Sequence, residues 1–328
     1  MGEFDLIARY FRRPARRAAL GIGDDCALLP VLSGQQLAIS SDMLVEGRHF
    51  FGDVDPAALG NKALAVNLSD LAACGAEPLG FTLALALPEV NEAWLAGFSD
   101  GLLALADSHN CELMGGDTTR GPLTICITVF GTVPVTAGRS QALLRSGAKP
   151  GDDVYVSGSL GDARLALDAL RGRIHLPSAL LNATRLRLER PTPRVALGLA
   201  LRGVASAAID LSDGLAGDLQ HVLQASNVGA SMDTAAALNL LAARRHADWP
   251  LAGLSQGGAL NAVLSGGDDY ELAFTAPAGQ RHAVEAAARA SQTVVSRIGR
   301  IEAEPGLRWL DTNGAPVADV FSSFDHFA

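Results

Sequence analysis

The amino-acid sequence predicts a two-domain protein that mixes α-helices and β-strands. The chain has 328 residues, of which 48% are hydrophobic and 19% charged. A chain of this length can bury a sizeable core and favours two domains over one. Aromatic residues make up only 5%, whereas there are 35 glycines, so Ala, Leu, Val and Ile build the core. Apolar segments with strand patterns alternate with segments of helical spacing, which is typical of α/β or α+β enzymes.

Six segments have the apolar patterns of strands. They are residues 36–40, 81–87, 123–133, 153–157, 207–210 and 271–275. Residues 56–74 are rich in Ala and Leu and are followed by Gly75, as expected for a helix with a glycine C-cap. A second helix is predicted by a stripe with helical spacing that would pack on the sheet. Its members are Trp94, Leu95, Phe98, Leu102 and Leu105.

A composition change at residues 135–150, which are rich in Gly, Ser, Arg and Lys, predicts the domain boundary. We place the two domains at residues 1–138 and 139–328. Each contains Leu-Ser-Asp followed later by Gly-Gly-Asp, at residues 68–70 and 115–117 and again at 211–213 and 266–268. These triplets are too short to establish a duplicated fold.

The charge pattern argues against nucleic-acid binding. The formal net charge is −9, and the longest cationic cluster, Arg12-Arg13 with Arg16-Arg17, is too short to neutralise a nucleic-acid backbone. An acidic protein that binds anionic substrates usually needs cations between its carboxylates and the phosphates. A metal site is therefore expected.

The cysteines and the N-terminus predict a cytoplasmic protein that does not contact a membrane. Cys26, Cys74, Cys111 and Cys126 are widely spaced and form no CxxC pair, which favours buried, reduced thiols over a zinc site or disulfides. The first residues lack a basic region followed by an apolar one, and no apolar run reaches the length of a membrane span.

Six aspartate motifs are the informative feature of the chain. Most are predicted at the end of a strand or in a glycine turn, and several have a Ser or Thr neighbour. They lie at residues 24–25, 42, 70, 117, 210–213 and 268–269. Hard oxygen donors of this kind suit Mg²⁺ shared with substrate phosphates. Any one motif could be ordinary turn or N-cap chemistry, but six together indicate a site for a magnesium-bound phosphate.

The common nucleotide-binding and zinc motifs are missing. There is no G-x-x-x-x-G-K-[ST] loop, no G-x-G-x-x-G after the first strand, no kinase H-R-D or D-F-G set and no H-E-x-x-H. The Ser157-Gly158-Ser159-Leu160-Gly161 segment follows a predicted strand and precedes a helical segment. It could hold an anion at the helix N-terminus or be a plain connecting turn.

The ordered motifs resemble those of the thiamine-monophosphate kinase family over almost the whole chain. They are GIGDDCA at 21–27, SSD at 40–42, EGRHF at 46–50, NLSDLA at 67–72, GGDTT at 115–119, RSGA at 145–148, DLSDGL at 210–215 and GGDDYEL at 266–272. The resemblance implies the two-domain fold shared with aminoimidazole ribonucleotide synthetase and selenophosphate synthetase. In this fold the N-terminal domain, 1–138, binds ATP and Mg²⁺ and dimerises through its sheet, and domain 139–328 covers the nucleotide and the substrate.

The resemblance also assigns roles to residues. Magnesium ligands would be Asp25, Ser40, Ser41, Asp42, Asp70, Asp117, Asp210 and Asp213. ATP contacts would come from Gly116, Asp117, Arg145 and Ser212, and thiamine phosphate contacts from His49, Asp268 and Phe324. The residues central to catalysis would be Asp42, Asp70, Asp117, Arg145 and Asp210. The family usually has Glu where Asp268 stands and Tyr or Trp where Phe324 stands.

The implied reaction is Mg²⁺-assisted transfer of the ATP γ-phosphoryl group to thiamine monophosphate by a homodimer. The acceptor phosphate oxygen is already ionised near neutral pH, so the reaction needs no general base, and charge neutralisation and alignment would dominate. Two alternatives remain open: an ATP-dependent synthetase of the aminoimidazole ribonucleotide type and a non-catalytic magnesium-nucleotide sensor. A selenophosphate synthetase is disfavoured, because the first Cys is Cys26, inside the aspartate motif, and the first Lys is Lys62.

Overall fold

The protein is described by a computed structural model that covers residues 3–18, 22, 27, 29, 33–317 and 321. Its internal contacts divide the chain into two compact units. Unit 1 comprises Met1–Leu71 and Ala76–Gln141, and unit 2 comprises Ala72–Gly75 and Ala142–Ala328. The predicted mixture of helices and strands is confirmed, because each unit contains one sheet together with helices.

The described residues of unit 1 form a five-stranded sheet and three helices. The strands are β1 (Gln35–Val45), β2 (Glu77–Leu87), β3 (Glu112–Arg120), β4 (Thr124–Thr136) and β5 (Arg139–Ser140). The helices are α1 (Glu3–Tyr10), α2 (Pro56–Ala73) and α3 (Glu92–Ser108). The sheet order is β1-β4-β2-β3, with β5 paired to β4. Strands β1 and β2 run antiparallel to β4, whereas β2 and β3 are parallel, so β1 and β3 lie at opposite ends of this path.

Helices α2 and α3 confirm the two helices predicted from sequence. Their backbones lie very close together, because a Cβ atom at Gly60 would overlap the Phe98 carbonyl oxygen and one at Gly101 would overlap that of Ala57. The predicted stripe is largely buried, and the rings of Trp94 and Phe98 stack at 4.9 Å. Gly75 follows α2 with φ +60°, a conformation that favours glycine.

The sheet of unit 1 has one covered and one open face. Side chains along a strand alternate between faces. Ser40 and Asp42 of β1 lie on the face that packs against α2. Leu37, Ile39 and Met43 lie on the opposite face and are 42%, 59% and 54% exposed. We call this the open face, since no described helix of unit 1 buries these three side chains.

Unit 2 contains a six-stranded sheet in the order β11-β8-β10-β6-β9-β7, in which β11 and β8 are parallel and the other pairs antiparallel. Its strands are β6 (Asp152–Ser157), β7 (Ala207–Leu211), β8 (Gly229–Asp233), β9 (Glu271–Pro277), β10 (Val295–Glu302) and β11 (Gly306–Leu310). Its helices are α4 (Asp162–Leu170), α5 (Ser178–Glu189), α6 (Val195–Ala200), α7 (Leu215–Ser226), α8 (Thr234–Leu238), α9 (Gln256–Ser265) and α10 (Arg281–Ala290).

The six predicted strands are present, and all six are longer than the sequence pattern suggested. Strands β3, β5, β8, β10 and β11 were not predicted. The expectation that the aspartates lie at strand ends or in turns is wrong for Asp42 and Asp117, which lie within β1 and β3. Glycine favours turns in isolation, but Gly115 and Gly116 pair with Thr82 and Leu83 of β2, directly after a register shift in the parallel ladder.

The three cysteines within the described ranges, Cys74, Cys111 and Cys126, form no disulfide. Cys111 is buried as predicted, and burial raises the pKa of its thiol to about 12. Cys74 and Cys126 are only half-buried, and Cys26 lies outside the described residues. No helix in the described part of the chain is long and apolar enough to cross a bilayer.

Candidate active site

The first group of predicted site residues lies where β1 meets α2 in unit 1. The Ser40 hydroxyl donates a short hydrogen bond to the Asp70 carboxylate. Asn67, one turn earlier on α2, accepts a hydrogen bond of 3.1 Å from the backbone N–H of Asp42. The Asn67 amide in turn donates to the Ala63 carbonyl at 3.0 Å, which fixes its orientation. Ser40, Asp42 and Asp70 therefore form one oxygen-rich cluster on the covered face.

Ser41 is separated from this cluster by the pleat of the strand. Its side chain lies on the open face, where the hydroxyl donates to the Ile127 carbonyl at 3.1 Å and lies 3.0 Å from the Thr128 hydroxyl. The three consecutive residues that the sequence grouped together thus divide between two faces of β1. Of Ser41, only the main-chain atoms lie beside Ser40 and Asp42.

Gly116 and Asp117 lie on β3, three strands away from β1. A Cβ atom at Gly116, where φ is +151°, would overlap the Leu83 carbonyl oxygen, so only glycine fits. Asp117 pairs with Ala84, which is in register with Cys126 and then Met43, so it shares the open face. At about 4.8 Å per strand, Asp117 is about 14 Å along the sheet from β1. Within one chain the structure does not bring it to Asp42.

His49 lies in the turn that follows β1. Its Nδ1 atom accepts a hydrogen bond of 3.0 Å from the backbone N–H of Val45. The neutral imidazole then carries its proton on Nε2. The turn that orients the ring includes Gly47, at φ +77°.

In unit 2, the Asp210-Leu211-Ser212-Asp213-Gly214 motif joins the end of β7 to α7. Asp210 is buried, and the chain turns at Gly214 with φ +112°. The carboxylate of Asp218, in the first turn of α7, accepts hydrogen bonds of 3.1 Å from the backbone N–H groups of Asp213 and Gly214. Burial raises the pKa of Asp218 to about 7. Asp218 thus holds the backbone that presents Ser212 and Asp213.

A second loop, residues 266–270, packs directly on this motif. The backbone N–H groups of Asp268 and Tyr270 donate to the carbonyls of Ser212 and Leu211, each at 2.8 Å. A Cβ atom at Gly267 would overlap the Ser212 carbonyl oxygen, so glycine is needed for this approach. The structure therefore brings together two motifs that lie more than fifty residues apart in the sequence.

The N-terminus of α4, proposed from the sequence as an anion site, is occupied by a carboxylate of the protein itself. The Gly161 N–H donates to both Asp269 carboxylate oxygens, at 3.0 and 3.2 Å. Burial raises the pKa of Asp269 well above its usual value. The loop therefore positions residue 269, and its Gly161 N–H is already engaged by a protein carboxylate.

Arg145 lies on a segment that is fixed along β7. The Leu144 carbonyl accepts from the Ala208 N–H at 2.9 Å, and the Arg145 carbonyl accepts from the Ser226 hydroxyl at 3.2 Å. The side chain is exposed, and its guanidinium makes no hydrogen bond or ion pair with any residue that the structure describes. Its backbone is thus held while its charge remains available.

The donor chemistry suits Mg²⁺, since Ser40, Asp42, Asp70, Asp210 and Asp213 offer hard oxygens. Yet no three His, Cys, Asp or Glu side chains converge on one metal position among the described residues. Asp25 and Phe324 lie outside those residues. A multidentate site in this chain would therefore need oxygens from Asp25, from substrate phosphates or from a second copy.

Sequence reasoning missed several residues that shape the site. They are Asn67, Asp218, Glu271, Arg187 and Arg194. Asp218 was open to prediction, since an acidic residue four positions after a glycine turn suits the first turn of a helix. The contacts of Arg187 and Arg194 carry no local signal, because their partner Glu271 is 84 and 77 residues away.

Comparison with known proteins first defines the class. Two family models match in sequence order: the N-terminal domain of AIR synthase related proteins at residues 23–133 and their C-terminal domain at residues 149–310. More narrowly, the chain belongs to the thiamine-monophosphate kinase family.

Three relatives support that membership. A thiamine-monophosphate kinase of Salmonella typhimurium is 50% identical over 334 residues, which cover 100% of this chain and 98% of the relative. The crystal structure of thiamine-monophosphate kinase from Stenotrophomonas maltophilia is 44% identical with a TM-score of 0.82, covering 96% of each chain. The structure of AaThiL complexed with AMPPCP and TMP is 28% identical with a TM-score of 0.76, covering 91% of this chain and 89% of AaThiL.

Proposed function

We propose that this chain transfers the γ-phosphoryl group of ATP to the phosphate of thiamine monophosphate, giving thiamine diphosphate and ADP. The observation that carries this function is the 50% identity, over the full chain, to a thiamine-monophosphate kinase. A related structure holds TMP together with AMPPCP, an ATP analogue, which fits these two substrates. The Ser40, Asp42 and Asp70 cluster and the Asp210–Asp213 loop would supply the oxygen donors for this reaction.

The reaction needs no general base, because the acceptor phosphate oxygen of thiamine monophosphate is ionised near neutral pH. The main obstacle is repulsion between two polyanions, so alignment and charge neutralisation dominate. We assign Asp42, Asp70, Asp117, Asp210 and Asp213 to hold Mg²⁺, which when bound neutralises charge on the phosphate oxygens. Arg145 and Ser212 would bind ATP, and His49 and Asp268 the thiamine phosphate.

Purified protein incubated with ATP, Mg²⁺ and thiamine monophosphate should form thiamine diphosphate and ADP in equal amounts, measured by chromatography. Unphosphorylated thiamine serves as the control acceptor and should give no diphosphate. Turnover with formylglycinamidine ribonucleotide instead would indicate the synthetase alternative. Bound ATP that survives prolonged incubation with every acceptor would indicate a nucleotide sensor.

We also propose that two copies associate through the open face of unit 1. Leu37, Ile39 and Met43 form an exposed apolar stripe on an edge strand. Monomeric proteins seldom leave such a stripe exposed to water. Asp42 and Asp117 lie at opposite edges of the sheet. In a two-fold dimer in which β1 of one copy lies beside β3 of the other, the strand that carries Asp42 would lie next to the strand that carries the partner subunit's Asp117. Their side chains would lie on opposite faces of the joined sheet, so one magnesium-nucleotide complex that spans this edge would contact both.

This arrangement predicts complementation between two inactive variants. Asp42→Asn and Asp117→Asn should each be inactive as homodimers. Co-expressed with different tags, they should recover about a quarter of wild-type activity, because half of the dimers are mixed and one of the two sites in a mixed dimer is intact. Steady-state assays of the unfractionated mixture would measure this, and the doubly tagged fraction alone should reach about half of wild-type activity.

The matched control combines Asp42→Asn with Asp70→Asn, which alter the same cluster on one chain. Every site of that mixed dimer carries one substitution, so no recovery is expected. Failure of the Asp42→Asn and Asp117→Asn pair to recover, or equal recovery in the control, would contradict the shared site.

A further inference from the structure

A buried ion cluster lies at the base of the 266–270 loop in unit 2. Glu271, the first residue of β9, is 0% exposed. Its carboxylate accepts hydrogen bonds from Arg187 Nη2 at 2.8 Å, from Arg194 Nε and Nη2 at 2.5 Å each, and from the Ser157 hydroxyl at 2.6 Å. Two guanidinium groups therefore converge on one fully buried carboxylate. They come from different segments, α5 and the residue before α6.

The 266–270 loop beside this cluster contains two residues with unfavourable backbone dihedral angles. Asp268 and Tyr270 have φ values of +65° and +51°, in the left-handed region that residues other than glycine seldom adopt. Such a conformation is strained for a residue with a side chain, so the surrounding structure must impose it. The residue between them, Asp269, is buried and anchored to the Gly161 N–H.

Arg187 connects the cluster to the loop. Its Nη2 atom contacts both the Glu271 carboxylate, at 2.8 Å, and the main-chain carbonyl of Asp269, at 3.4 Å. Because one nitrogen makes both contacts, its position couples the Glu271 carboxylate to the main chain of Asp269. Arg194 makes a two-pronged contact with Glu271 and so fixes the carboxylate that Arg187 contacts.

Stability alone does not explain this arrangement. A buried ion pair is often no more stable than apolar side chains of the same volume, because burial removes both charges from water. Here the cluster lies immediately beside the two strained residues, and one of them is Asp268. Resting on the proposed function, in which Asp268 contacts the thiamine phosphate, we infer that Arg187 and Arg194 are positioning residues that hold Asp268 for substrate binding through Glu271 and the Asp269 backbone.

The test compares the KM for thiamine monophosphate with kcat and with the KM for ATP. Arg194→Lys keeps the positive charge but loses the two-pronged contact with Glu271, and Arg187→Lys keeps the charge on a shorter side chain. We expect the KM for thiamine monophosphate to rise by about tenfold, while kcat and the KM for ATP stay within about threefold of wild type. Titration calorimetry with thiamine monophosphate alone should show the same loss of affinity. Asp268→Asn should show at least as large an effect on both measurements.

A matched control separates positioning from general destabilisation. Arg281 makes an equivalent two-pronged contact with a buried carboxylate of the same sheet, donating to Asp153 at 2.6 and 2.9 Å. Arg281→Lys should lower Tm without changing the KM for thiamine monophosphate. Ser157→Ala removes one hydrogen bond to Glu271 and is the milder variant if Arg187→Lys fails to fold. It should raise the KM in the same direction.

Failure of the inference and failure of the proposed function give different results. If the wild-type protein shows no turnover, the proposed function and the inference both fail. If the wild-type protein is active but its folded variants at Arg187, Arg194 and Ser157 all keep the wild-type KM and affinity for thiamine monophosphate, only the inference fails. The inference also fails if Arg281→Lys raises that KM equally at the same loss of Tm.

Discussion

Asp70→Asn is expected to lower kcat/KM by at least about 1000-fold, which corresponds to about 4 kcal/mol of lost transition-state stabilisation. Asp70 lies on α2 and accepts a hydrogen bond from the Ser40 hydroxyl, within the oxygen cluster that also contains Asp42. Asn keeps the shape and one acceptor oxygen but removes the charge that would bind Mg²⁺ at the phosphates. Because Asp70 is only half-buried at the edge of the helix, the fold should remain.

Steady-state kinetics over a range of Mg²⁺ concentrations, together with thermal melts, would measure this effect. The control is Asp55→Asn, at the N-terminus of the same helix, where the side chain accepts the Ala58 N–H at 2.9 Å. Asn caps helices as well as Asp does, so that variant should keep activity within about twofold. A wild-type rate for Asp70→Asn at limiting Mg²⁺, or a large drop in its Tm, would show that Asp70 has a structural role instead.

The sequence predicts those parts of the fold whose signals are local. The Ala and Leu pattern with Gly75 predicts α2, and the spacing of Trp94, Leu95 and Phe98 predicts α3. The separation of Ser41 from Ser40 and Asp42 also follows from strand alternation, once β1 is seen to continue beyond residue 40. The alternating apolar pattern predicted a strand over residues 36–40 only.

Strand order is the part that the sequence could not supply. Asp42 and Asp117 occur in similar motifs, but β1 and β3 lie at opposite edges of one sheet. The repeated triplets mislead for the same reason. Leu68-Ser69-Asp70 lies on a helix, whereas Leu211-Ser212-Asp213 runs from the end of a strand into a turn. Identical short motifs therefore take different conformations when different elements pack around them.

Arg145→Ala is expected to lower kcat/KM for ATP by about 100-fold, and Arg145→Lys by about tenfold. The main chain on both sides of this residue is held, by the Ala208 N–H and by the Ser226 hydroxyl, while the guanidinium has no partner among the described residues. A fixed backbone with an available guanidinium suits bidentate contact with phosphate oxygens, a geometry that Lys does not reproduce.

Arg139→Ala provides the control for Arg145, since Arg139 is also exposed and belongs to the same Gly- and Arg-rich segment of the sequence. It should keep kcat/KM within about twofold of wild type. Kinetics with ATP varied at saturating thiamine monophosphate would compare the two variants, and melts should show both folded. If Arg145→Ala matched Arg139→Ala, Arg145 would be an ordinary surface arginine, and the charge that neutralises the transferring phosphoryl group would have to come from another residue or from metal alone.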